Sequence, residues 1–171
     1  MNYNPSTIAR IADIFYGIRV DTGSVLGPAL STANPTRLTL FNVIGGRVLV
    51  NQIIAEATET FVGAGCLIKL AFTPTLGAAQ VDLTAVSLDA GSGAWAAGMR
   101  LIFGPAIGGT TTFSAKGASV AKIVDPYVLG TVGQGGAILT HATTAAFTDG
   151  TAKFSLWYVP LDDGAYIEAA V

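Results

Sequence analysis

The chain has 171 residues, of which 51% are hydrophobic and only 12% charged, with a formal net charge of −2. A typical globular domain carries about 25% charged residues, so a lone monomer of this composition has little charge with which to cover its surface. Its lysines and arginines stand singly, with no adjacent pair, which speaks against a basic footprint for nucleic acid or for an anionic membrane surface.

The length suggests one domain, or one domain with an arm. No clean apolar window of membrane-spanning length is present, so no transmembrane helix is predicted. Met1-Asn2-Tyr3-Asn4-Pro5 has neither the basic nor the apolar region of a signal peptide. The expectation is a chain made in the cytoplasm that stays soluble until it assembles. Residues 1–35 read as an N-terminal arm and linker. Ile8, Ile11, Ala12 and Phe15 match a helical stripe, although the β-branched and aromatic content there also suits a strand. Gly27-Pro28 and Asn34-Pro35 are turn or extended signals.

From residue 36 to 171 the pattern is β. Arg37–Val43 leads into the turn signal Gly45-Gly46, and Arg47–Ile54 is a long strand. Cys66–Phe72 follows, ended by Pro74. Gln80–Val86 alternates with period two, which gives one half-buried face. Met99–Phe103, Ala118–Val124, Gly135–Thr140 and Lys153–Val159 complete the set, with Pro160 as the last stop. The strand spacing and the lack of long amphipathic helices predict an all-β fold, an antiparallel β-sandwich of jelly-roll type with an extended or partly helical arm. A small closed barrel is the runner-up.

No constellation announces chemistry. His141 is the single histidine and Cys66 the single cysteine, so a metal site built on several of either is impossible within one chain. Cys66, in an apolar strand-like run, reads as a buried structural thiol. A Ser–His–Asp triad would need His141, but no Gly-x-Ser-x-Gly turn marks a nucleophile. Several of the acids lie beside Gly, Pro or Thr, where aspartate bonds nearby backbone amides. Asp162-Asp163-Gly164 lacks the ligand spacing of a calcium loop and reads as a turn. Trp95, flanked by small residues, is either a contact anchor or a plug at the end of the sandwich. The expectation is therefore a protein with no catalytic residues, no cofactor and no metal.

Two stretches carry a resemblance: Phe41-Asn42-Val43-Ile44-Gly45-Gly46-Arg47-Val48-Leu49-Val50-Asn51-Gln52-Ile53-Ile54, and Leu156-Trp157-Tyr158-Val159-Pro160-Leu161-Asp162-Asp163-Gly164-Ala165. Over residues 36–165 the pattern resembles small virion proteins of tailed bacteriophages, among them capsid decoration (cement) proteins. The resemblance implies a structural virion protein on the capsid surface, bound to the major capsid protein and to itself as a homotrimer. Ile8, Ile11, Phe15, Tyr16 and Trp95 are the expected contact residues. A tail or head-fibre component is the rival within that class. From another class the rivals are a carbohydrate-binding module, which should gather exposed aromatics with acids and amides, or a hydrolase.

Overall fold

The computed structural model describes residues 17–30, 37–63, 65–76, 79–84, 88–89, 94–103, 112–114, 126–142 and 145–171. In chain order the elements are β1 (Ile18–Asp21), β2 (Val25–Leu26), one turn of helix α1 (Gly27–Leu30), β3 (Thr39–Ile44), β4 (Val48–Val62), β5 (Leu67–Pro74) and β6 (Val81–Asp82). Then come β7 (Leu88–Asp89), β8 (Arg100–Ile102), β9 (Thr112–Ser114), β10 (Tyr127–Leu129), β11 (Gly136–Ala142), β12 (Asp149–Pro160) and β13 (Tyr166–Ala169).

Among the described residues every strand pair is antiparallel. The first sheet runs β1–β12–β4–β8–β9. In it β2 continues the β1 edge along β12, and β10 shares the far side of β4 with β8. The second sheet runs β13–β3–β11–β5–β6, with β7 also on β5. The chain passes from one sheet to the other at β2–β3, β3–β4, β4–β5, β7–β8, β10–β11, β11–β12 and β12–β13. One buried cluster draws on both sheets, from Phe41, Ile68, Leu70 and Ile138 to Ile53, Leu101, Phe154 and Leu156. The fold is an antiparallel β-sandwich, not the closed barrel.

Period-two alternation decides which side chains face the core. In β12, Ala152, Phe154, Leu156 and Tyr158 are buried, while Lys153, Ser155 and Trp157 point the other way. In β4, Val50 and Ile53 are both buried although three residues apart. Asn51 is the extra residue that allows this, because Tyr158 pairs with Val50 while Trp157 pairs with Gln52. Such a bulge shifts the phase of the alternation and keeps one apolar face inward on both sides of it.

The sandwich starts earlier than residue 36. Ile18–Asp21 pairs with Tyr158–Ser155 and Val25–Leu26 with Ala152–Thr151. Thr22 also exchanges bonds with Phe154: its N–H donates to the carbonyl at 2.9 Å, and its hydroxyl accepts the Phe154 N–H at 3.0 Å. Val25 and Leu30 are buried. The stretch read as arm and linker is thus, from residue 18 to 26, an edge of the first sheet, followed by the helical turn α1. The physical reason is an open side of β12 whose backbone groups need partners. Ile8, Ile11, Phe15 and Tyr16 lie outside the described residues, as does the strand expected at 118–124.

This gives a truncation test. Removing residues 1–16 spares every described strand. Extending the cut through Leu26 strips one side of β12, buried Val25 included. The longer deletion is expected to lose at least about 3 kcal/mol more than the shorter one in urea unfolding. Equal stability for both would show that this edge contributes nothing.

Candidate interaction surfaces

Among the described residues, two regions gather side chains that packing within the chain does not consume. The first lies at the end of the sandwich where β3 turns into β4. Gly45 and Gly46 make that turn with φ of +79° and +155°. Their lack of a side chain is needed twice over. A Cβ on Gly45 would stand 2.5 Å from the Gly164 carbonyl oxygen, and one on Gly46 would stand 2.7 Å from Asp162 Oδ2. The turn after β12 therefore docks directly on the turn after β3.

Arg47 and Asp162 lock the two turns together. The Arg47 backbone N–H donates to Asp162 Oδ2 at 2.7 Å, and Nη2 donates to Oδ1 at 2.6 Å. Arg47 Nε adds a bond to Oδ1 at 3.0 Å, and the Leu161 N–H donates to the Arg47 carbonyl at 3.0 Å. Asp162–Ala165 is itself a turn, closed by the Ala165 N–H on the Asp162 carbonyl at 3.1 Å. The two stretches that carry the family resemblance, 115 residues apart at Arg47 and Asp162, are thus one clasp.

Around this clasp four large apolar side chains are exposed: Val128, Val132, Leu161 and Tyr166. Val128 lies opposite Leu49, and Val132 sits in the turn closed between Thr131 and Gln134. Leu161 follows β12, and Tyr166 pairs with Ile44 beside the glycine turn. They crown one end of the sandwich.

The clasp sets an acid limit. Hydrogen bonds from the Arg47 side chain and backbone, with the guanidinium charge, hold the Asp162 carboxyl below its ordinary value of 3.8. The folded state therefore binds this proton less tightly than the unfolded chain. The clasp's contribution is complete above the ordinary carboxylate range, at about pH 5, and is lost as pH falls through the lowered folded value. Asp162→Asn is expected to flatten the loss of stability between about pH 5 and pH 2 in thermal melts, relative to the parent protein. An unchanged slope would mean that the clasp does not titrate with folding.

The second region is a groove of about 590 Å³ on the outer face of the first sheet. Alternation builds it, because Arg19 and Asp21 of β1, Lys153, Ser155 and Trp157 of β12, Gln52, Ile54, Glu56 and Thr58 of β4, and Arg100 of β8 share that face. Register places Arg19 beside Trp157 beside Gln52, Asp21 beside Ser155 beside Ile54, and Lys153 beside Glu56 beside Arg100. The Arg19 guanidinium carbon lies 5.2 Å from the centre of the Trp157 ring, a cation–π distance. Arg19 Nε donates to Asp21 Oδ1 at 2.8 Å, and the Ser155 hydroxyl donates to the same oxygen at 2.6 Å. Arg100 Nε donates to Glu56 Oε2 at 2.8 Å. Partial burial pushes the Asp21 carboxyl up, but the bonds from Ser155 and Arg19 outweigh it and hold the group below its ordinary value.

Trp95 settles between its two sequence readings as the plug. It is fully buried, stacks on Phe61 with ring centres 4.2 Å apart, and donates its Nε1–H to the Met99 carbonyl at 3.2 Å. It is not available as a contact anchor, because the end of the sandwich closes over it. Trp157 lines the groove instead. The groove escaped sequence reading because its residues come from four strands, although the alternation Lys153-x-Ser155-x-Trp157 is a signal for it. Cys66 is buried, as expected. Among the described residues no three His, Cys, Asp or Glu side chains gather to hold a metal ion, and no helix is long and apolar enough to cross a membrane.

No family model, no curated protein and no solved structure matches the chain.

Proposed function

We propose that the chain is a structural virion protein of a tailed bacteriophage that decorates and cements the outer capsid surface, without catalytic activity. Its partners are the major capsid protein and further copies of itself, assembled as a trimer. The observation that carries this reading is the clasp. The sequence stretches that resemble decoration proteins meet at Arg47 and Asp162, and that end of the sandwich presents Val128, Val132, Leu161 and Tyr166 to solvent. Apolar side chains grouped at one end favour protein contact, and the low charge of the chain favours burial in an assembly. The jelly-roll reading has support from strand order. The set β1/β2, β12, β4, β8 in one sheet faces β3, β11, β5, β6 in the other, the alternation expected of two interleaved Greek keys, with β13 added at the edge.

The test is localisation and exchange. Imaging of purified particles should place density for the chain on the outside of the head. Density in the tail, or absence from particles, would sink the reading. With bare capsids, Val132→Asp combined with Leu161→Asp is expected to reduce co-sedimentation by at least about tenfold, or about 1.4 kcal/mol. Both side chains are exposed, so the melting temperature of the free protein should hold within about 2 °C. Undiminished binding would move the contact away from the clasp.

A further inference from the structure

The geometry points to the groove on the first sheet as a binding site for an acidic oligosaccharide, an interaction separate from assembly through the clasp. Shape comes first. The lining crosses four strands, β1, β12, β4 and β8, which at about 4.8 Å per strand is a span of about 14 Å. Its volume, about 590 Å³, falls within the range of small-molecule sites and suits a short chain of sugar rings better than one ring.

Chemistry comes second. A sugar ring offers a face of C–H groups and a rim of hydroxyls. Trp157, whose ring also carries the Arg19 guanidinium at 5.2 Å, supplies an aromatic, apolar surface for the former. For the latter, Gln52 offers an amide, Ser155 and Thr58 offer hydroxyls, and the carboxylates of Asp21 and Glu56 accept hydrogen bonds. The carboxylates and guanidiniums are already fixed by mutual bonds, Arg19 to Asp21 and Arg100 to Glu56. Groups held in place before a ligand arrives lose less freedom on binding.

Charge decides which sugar. Arg19, Arg100 and Lys153 face Asp21 and Glu56, so the lining carries one net positive charge on a chain whose net charge is −2. Each carboxylate is matched by an arginine, and Lys153 is the cation left over. A carboxylate on the sugar complements it. A flat protein partner would meet a concave, polar face here and an apolar one at the clasp, so the groove is the poorer protein contact.

Isothermal titration of the intact protein with a galacturonate hexamer, cellohexaose and a hexaglutamate peptide tests the assignment. Saturable binding of the galacturonate hexamer is expected, with cellohexaose and hexaglutamate at least about tenfold weaker. Trp157→Ala should weaken the galacturonate hexamer about tenfold or more, and Lys153→Gln should bring its affinity down toward that of cellohexaose. Gln52→Ala is a second route to the same loss should Trp157→Ala fold poorly, which its melting curve would reveal. No binding of the galacturonate hexamer at millimolar concentration would overturn the assignment. So would hexaglutamate binding as well as the sugar, which means anion attraction alone. Full affinity in folded Trp157→Ala and Gln52→Ala proteins would likewise overturn it. None of these outcomes bears on capsid attachment.

Discussion

Trp95→Ala is expected to cost about 4 kcal/mol of stability, the largest loss from any single truncation of a core side chain here. The indole is fully buried, and its Phe61 partner packs edge-on against Phe147 with ring centres 4.9 Å apart. Cutting the ring away leaves a cavity bounded by stiff aromatic neighbours that relax only in part. It also strips the Met99 carbonyl of its indole donor. Domains of this kind are stable by about 5–15 kcal/mol, so the loss is a large fraction of the total. At about 2–4 °C per kcal/mol, the melting temperature should fall by roughly 8–16 °C. Trp95→Phe keeps a ring on Phe61 and drops only the hydrogen bond and part of the volume, so it should cost about 1.5 kcal/mol. Urea unfolding of both variants decides the matter. A cost below about 1 kcal/mol for the alanine variant would mean that the aromatic stack does not hold this end of the sandwich.

Gly135→Ala is expected to approach that loss by a different route. A Cβ at Gly135 would stand 1.7 Å from the Val43 carbonyl oxygen and 2.4 Å from its carbon. These are backbone atoms of β3, which a rotamer change cannot move. Accepting a methyl group requires β3 and β11 to separate where Gly136 pairs with Val43. Overpacking of this severity costs about 3 kcal/mol or more. Gly133, two residues earlier, is the control. Its φ is +73°, but a Cβ there meets nothing within 4 Å. Gly133→Ala therefore bears only left-handed backbone strain, about 1 kcal/mol. Chemical denaturation should separate the two variants by about 2 kcal/mol, and amide exchange in β3 and β11 should quicken in Gly135→Ala alone. Equal costs would mean that the close approach of the two strands is not what demands glycine.

The parts of the fold legible in the sequence were those where local pattern and burial agree. Leu67–Pro74 and Asp149–Pro160 end on prolines, and the run around Phe154–Tyr158 alternates cleanly, so those strands could be read directly. β1 and β13 could not. Ile18-Arg19-Val20-Asp21 and Tyr166-Ile167-Glu168-Ala169 are four residues each, mostly exposed, and lie on sheet edges. Edge strands owe their existence to the backbone groups of a neighbour, which for Ile18 is Tyr158. Nothing local encodes that neighbour. The second half of β4 was missed for a related reason. Glu56, Thr58, Glu59 and Thr60 look like a loop, but they belong to a long strand whose Ala55, Ala57 and Phe61 are buried, with register shifts against β12 around Glu59 interrupting the alternation.

The sequence by itself determined the β class, the glycine turn at Gly45-Gly46 and the burial of Cys66, because each follows from period, backbone freedom or local apolar density. Only the tertiary structure decided what those elements do together. It set Arg47 against Asp162, sealed Trp95 under the aromatic stack, and aligned Arg19, Trp157, Gln52, Glu56 and Arg100 into one groove. The reason is that strand register is a long-range property. A bulge at Asn51 re-phases the face on which Ile53, Ala55 and Ala57 stand, and its effect is fixed by pairing with β12, about a hundred residues away.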